Sequence, residues 1–305
     1  LNAARGNSRG HARLGSVALA SQDMDAVGGY AAQAAALWHQ WDEVASEWLF
    51  AQIEAGFGED IRHSGALYVK SMPKICQTPT LTMTCTIAYV VFVVLAKLLV
   101  RSKPTGGKGK KKAESPAWLK WLVYAHNLFL VVLSSYMSGG IIIQAIRLRY
   151  RFWGQLYDER EVDLARLIAI FTFSKLYEYL DTVIMVLKGN MHQVSFLHCY
   201  HHVSVSIFWW LIMYVMPGGE AWFSSSLNSF VHVVMYTYYL LASASSGDET
   251  FRKRYLWWGK YLTSFQMAQF AANGVHCAYM YYFGTFSAFL SKIGFFYMIS
   301  LWLLF

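Results

Sequence analysis

The residues best equipped for chemistry gather in one stretch, KGNMHQVSFLHCYHH at 188–202. It sets His198, His201 and His202 at the head of a long apolar run. On a helix the spacing i, i+3, i+4 puts all three on one face. Imidazole exchanges protons near neutral pH and also ligates metals. Three of them at the mouth of an apolar helix are costly unless they serve a purpose. Other apolar runs carry polar residues at the same periodicity. KLYEYLDT has Lys175, Glu178, Asp181 and Thr182 at steps of three and four. A lysine beside two carboxylates offsets part of their charge, either as a structural ion-pair network or as part of a site. NSFVHVVMYTYY spaces Asn228, His232, Tyr236 and Tyr239 by four, four and three. Thr263, Gln266, Gln269, Asn273 and His276 form a further stripe. Amides and hydroxyls of this kind either join helices or meet a ligand. Asn127 and Ser134, a heptad apart, read as helix-joining residues.

These stripes sit in a chain of 305 residues, 56% hydrophobic and only 14% charged. Such a composition is that of an all-α, polytopic membrane protein and excludes an ordinary soluble domain. A span needs about 20 apolar residues. Seven runs approach that length, at 80–100, 119–143, 164–187, 194–216, 221–243, 259–283 and 286–305. The net charge of +8 is concentrated in loops, so it speaks to topology and not to nucleic acid. Arg101, Lys103, Lys108, Lys110, Lys111 and Lys112 share a side with Lys188, Arg252, Lys253 and Arg254. The positive-inside rule makes that side cytosolic and sets the histidine box near it. Cys76, Cys85, Cys199 and Cys277 are scattered and suggest no disulfide framework.

Three regions follow. Residues 1–30 read as a disordered or non-native extension. Residues 1–22 contain no acid, and Met24 reads as the natural start, with a transit peptide as the alternative. Residues 31–74 read as a lumenal or interfacial helical region, with Trp38, Trp41 and Trp48 among acids. Residues 75–305 form the transmembrane catalytic domain. It ends on Trp302-Leu303-Leu304-Phe305 inside an apolar run, so a further C-terminal tail is expected. Turned inward, the polar stripes would enclose a pocket at one end, with an apolar tunnel between them fit for a long acyl chain.

KLYEYLDT, QVSFLHCYHH, NSFVHVVMYTYY and TSFQMAQF, in that order, resemble the four motifs of the ELO family of fatty acid elongases. HNLFLVVLSS at 126–135 is similar to a further family segment. The resemblance implies seven helices in the endoplasmic reticulum membrane, a multi-pass topology and condensation of long-chain acyl-CoA with malonyl-CoA. The products would be 3-ketoacyl-CoA, carbon dioxide and CoA. It also implies a ketoacyl-CoA reductase, a dehydratase and an enoyl-CoA reductase as partners, with a homodimer one arrangement left open. Gln193 and Tyr200 resemble the branch acting on polyunsaturated chains. No cofactor, metal or nucleic acid is expected.

A mechanism then fits the residues. His201 takes the acyl group as an acyl-imidazole, and His198 and His202 orient it or move protons. His232 serves the second half-reaction. Asn228, Tyr236, Gln266 and Gln269 donate hydrogen bonds to carbonyl oxygens. Glu178 and Asp181 fix the tautomers of the histidines. Lys188, Arg252, Lys253 and Arg254 meet CoA phosphates at the cytosolic mouth. Lys175, Thr182, Gln193 and Tyr239 complete the substrate-binding set. Cys199 lies about 100° around the helix from His198, which disfavours it as the nucleophile. Two rivals stand beside this reading. A membrane di-iron desaturase or hydroxylase also carries HxxHH but needs several more histidine boxes. A seven-helix receptor or transporter has no need of a charged stripe facing histidines.

Overall fold

The computed structural model describes residues 8–57, 66–101, 116–245 and 248–305. His63, Lys103, Lys108, Lys110, Lys111 and Lys112 lie outside these residues. Among the described residues the chain is helical, with no strand. Helix α1 (Ser8–Phe57) is followed by the short α2 (Leu67–Lys70) and α3 (Lys74–Gln77). Then come α4 (Thr80–Arg101), α5 (Ala117–Arg147), α6 (Val162–Tyr177) and α7 (Tyr179–Leu187). The remainder are α8 (Phe196–Val215), α9 (Ala221–Ala244), α10 (Glu249–Tyr255), α11 (Leu262–Phe283) and α12 (Ala288–Leu304). Helix α1 passes residue 30 without a break.

Seven rods correspond to the seven apolar runs: α4, α5, α6 continued by α7, α8, α9, α11 and α12. Two helices, Thr80–Leu99 and Ala117–Arg147, are long and apolar enough to cross a membrane by that criterion alone. Most of the other rods carry the buried charges and polar stripes, which lower their hydropathy. Helix α4 turns Ile87, Val90, Val91, Val94, Leu95, Leu98 and Leu99 outward. A continuous apolar face of that size belongs in lipid or against a partner.

Local sequence sets where the rods begin and bend. Ser195 caps α8 by accepting the His198 backbone N–H at 3.1 Å, so the box occupies the first two turns. Ser287 and Asp248 cap α12 and α10 in the same way. The third rod breaks at Glu178. Just before it, Thr172 donates back to the Ile168 carbonyl at 2.9 Å and Ser174 to that of Phe171 at 2.8 Å. Such back-bonding bends helices.

The heaviest packing joins α5 with α9 and α11 with α12, while α8 packs on α6 and α4. Small residues let these helices approach. A Cβ on Gly294 would lie 2.9 Å from Cys277 Sγ and 3.2 Å from the Phe208 ring. Apolar side chains of α6, α8, α11 and α12 build the core, with Ile168, Phe171, Met213 and Leu290 among them. At the end of the bundle away from the box, the loop after α5 docks on the α8–α9 turn. Gly219 has φ +52, and a Cβ there would meet the Tyr157 backbone at 2.8 Å. In the same loop the Arg160 guanidinium beside Asp158 holds its carboxyl down to about 2. The C-terminal part of α1 also docks at this end. Phe50 packs on Trp210 and Tyr214, and Ser46 Oγ lies 2.8 Å from Thr80 Oγ1.

Candidate active site

Helices α6, α7, α8 and α9 bring three of the polar stripes together, and the box divides in two. His198 and His202, one turn apart on α8, stand with ring centres 4.4 Å apart. His198 Nε2 lies 2.8 Å from Thr182 Oγ1 of α7, which in turn lies 3.0 Å from Tyr89 OH of α4. The His202 ring is buried near Tyr89 and Tyr179, and its Nδ1 has no partner among the described residues. His201 is rotated about 100° from His202 around the helix. It lines a cavity instead, and its ring makes no hydrogen bond among the described residues.

A second cluster sits across from the box. Lys175, 1% exposed, donates from Nζ to Glu178 Oε1 at 2.8 Å and to Asn228 Oδ1 at 3.0 Å. Its ammonium also lies over the Phe171 ring. His232 Nδ1 is 3.4 Å from the same Glu178 oxygen. Buried charges persist when paired and hydrogen-bonded in this manner. Next to this cluster, Asp181 accepts from Tyr236 OH at 2.6 Å and faces His126 Nε2 at 2.8 Å. The Tyr236 ring packs edge-on against His232 at 5.5 Å.

These contacts show which histidines the two carboxylates meet: among the described residues they are His232 and His126, not those of the box. Glu178 serves Lys175 and His232, Asp181 serves His126 and Tyr236, and Thr182 holds His198. The helical period gives the face of each helix but not which stripe it meets. The stripe on α11 is also shorter than expected. Gln269, Asn273 and His276 are buried, Gln266 reaches Met235 Sδ at 3.5 Å, and Thr263 is exposed. Gln193 is exposed, in the turn before α8, and Tyr239 is 43% exposed beside Tyr236. Lys188 is half-buried at the end of α7. Arg252, Lys253 and Arg254 are exposed on α10, which packs on the turn at 257–261. Asn127 and Ser134 are buried on α5, in the rod that packs against α9. His126 is the residue the sequence reading missed. Its motif was visible, but nothing in α5 pointed to a partner in α7.

The cavity runs beside α8 between α9, α11 and α12. At one end stand His201, Asn228 and Gln269; at the other stand Glu220, Met280 and Phe286. Val205, Trp209, Ile212, Phe270 and Leu301 line the wall between. From His201 to Ile212 the helix rises about 16 Å. The far end is closed by a buried polar knot. Glu220 accepts from Gly154 N at 2.6 Å and Thr285 Oγ1 at 2.8 Å, and meets His276 Nε2 at 3.0 Å. All four cysteines are free, Cys277 among the wall residues. Among the described residues no three His, Cys, Asp or Glu converge as a metal-ligand set. An apolar sleeve with an unengaged imidazole at its polar end suits transfer of a long hydrocarbon acyl group.

Residues 74–305 match the family model described as ELO: GNS1/SUR4 family. The chain is 34% identical over 192 residues to very long chain fatty acid elongase 5 of Homo sapiens, covering 62% of this chain and 59% of that protein. It is 42% identical over 191 residues to fatty acid elongase 6 of Leishmania major, covering 59% and 49%. With very long chain fatty acid elongase 2 of Rattus norvegicus it shares 33% over 198 residues, covering 64% and 65%. The matches thus span about three-fifths of the human relative's length.

Proposed function

This chain belongs to the ELO: GNS1/SUR4 family, and we propose on that premise that it elongates fatty acids by condensing a long-chain acyl-CoA with malonyl-CoA. The observation that carries the mechanism is the position of His201. It alone of the box opens onto the apolar cavity, and among the described residues its ring makes no hydrogen bond. The His201 imidazole attacks the thioester carbonyl. An acyl–nitrogen bond forms, the carbon–sulfur bond breaks, and CoA leaves as its thiol with the imidazole proton. Malonyl-CoA then loses its carboxylate as carbon dioxide. The carbanion left behind attacks the acyl carbonyl and the acyl–nitrogen bond breaks, giving 3-ketoacyl-CoA; the departing imidazolate takes a proton from solvent and the neutral ring is restored. His232, held by Glu178, stands beside Asn228 and Lys175 where the enolate oxygen would need a donor. Gln269 is placed to bond an acyl carbonyl at the same end. Lys188 is the basic residue nearest the mouth in sequence, and Arg252, Lys253 and Arg254 would receive CoA phosphates only from the edge of the bundle.

The outward apolar face of α4 and the seven-rod arrangement support a multi-pass membrane protein. Residence in the endoplasmic reticulum, and action beside a ketoacyl-CoA reductase, a dehydratase and an enoyl-CoA reductase, accompany the elongase reading. Preference for polyunsaturated chains rests on Gln193 and Tyr200. Tyr200 lies against α12, its OH 2.9 Å from Ser300 Oγ.

The test is to incubate the purified protein with labelled acyl-CoA alone and to map the adduct by mass spectrometry. Acylation of His201 is expected, and carbon dioxide should appear only once malonyl-CoA is added. An acyl group on Cys199, or full activity in His201→Ala, overturns the assignment.

A further inference from the structure

We propose that His126 of α5 is a positioning residue for the condensation step, acting through Asp181 and Tyr236 on His232; the proposal rests on the elongase reading above. His126 is 4% exposed and stacks on Tyr177, ring centres 5.5 Å apart and planes at 20°. Its Nε2 lies 2.8 Å from Asp181 Oδ1. The second Asp181 oxygen is taken by Tyr236 OH at 2.6 Å. A carboxylate oxygen only accepts, so this bond calls for the imidazole hydrogen on Nε2 and leaves Nδ1 as the bare nitrogen. That agrees with a buried Nδ1 that has no partner among the described residues.

The consequence is geometric. Asp181 lies on α7, the shorter half of a broken rod, and its carboxylate is 17% exposed. Left with Tyr236 alone, it has room to swing. Gripped on both oxygens, it locks the Tyr236 rotamer, and Tyr236 is the edge against which the His232 ring rests at 5.5 Å. His126, Asp181 and Tyr236 therefore pin α5, α7 and α9 to one another beside the second cluster. His201 stands on α8 and takes part in none of these bonds. Loss of His126 should spare acyl transfer to His201 and impair the step that uses His232.

The two half-reactions can be measured separately in the intact protein. In His126→Phe, adduct formation from acyl-CoA alone should stay within about twofold, while carbon dioxide release from malonyl-CoA falls about 100-fold, the cost of a small misplacement. His126→Gln, whose side-chain amide can donate from nearly the place of Nε2, should recover most of that loss. Equal loss of both half-reactions, no loss in either, or a His126→Gln variant as poor as His126→Phe overturns the proposal. Should His126→Phe fail to fold, Asp181→Asn must show the same split, and a parallel loss in both steps counts against the proposal. A wild-type protein that releases no carbon dioxide overturns the elongase reading itself, a distinct result.

Discussion

At the scale of single residues, the site is a set of buried charges, each with a named partner. Lys175 and Glu178 are 1% and 2% exposed at the side chain and bonded at 2.8 Å. Removing one member of such a pair costs about 3–5 kcal/mol, because the other charge stays buried. Lys175→Met should therefore lower the melting temperature sharply in detergent. The double variant Lys175→Met/Glu178→Gln should recover much of it while remaining inactive; a double variant as unstable as the single one would refute this. The residue types of this cluster were legible in sequence, because polar side chains at helical spacing stand out in an apolar run. Their partners were not. Asp181 meets His126 across 55 positions and Lys175 meets Asn228 across 53. Which rod faces which depends on rotations that no single-helix pattern records.

At the scale of elements, the seven rods follow the seven apolar runs to within a few residues at most ends, since length and periodicity are strong signals. The break at Glu178 was not legible, because serine and threonine can lie in a helix with or without bending it. The box depends on one element boundary in particular. Ser195 fixes the start of α8 by capping the His198 N–H. Ser195→Ala should cost about 1 kcal/mol and fray the turn that carries His198. His198 would then lose its 2.8 Å contact with Thr182. The expected outcome is slower elongation with near-normal expression, restored by Ser195→Asp, which caps equally well. Activity unchanged in Ser195→Ala would mean that the box is held by tertiary contacts alone.

At the scale of the whole molecule, the cavity joins a reactive end to a closed end, and its depth should select the substrate. From His201 to Ile212 is about 16 Å of helix, and Glu220, tied to Gly154, Thr285 and His276, floors it. Each methylene buried in the sleeve contributes about 0.8 kcal/mol, or about fourfold in kcat/KM. That gain should continue until the methyl end reaches the floor. One carbon more must then displace a carboxylate whose oxygens accept from Gly154 and Thr285 and meet His276, which is far costlier than the methylene is worth. Preference should therefore rise steadily with chain length and then fall abruptly. Met280 and Phe286 line the floor from α11 and from the turn before α12. Met280→Trp should move the fall to shorter chains by two carbons or more. Phe286→Ala should move it to longer ones, with shorter substrates processed at the original rate. Product profiles across a panel of acyl-CoAs read this directly. A maximum that stays in place in both variants would show that the acyl chain does not run toward Glu220.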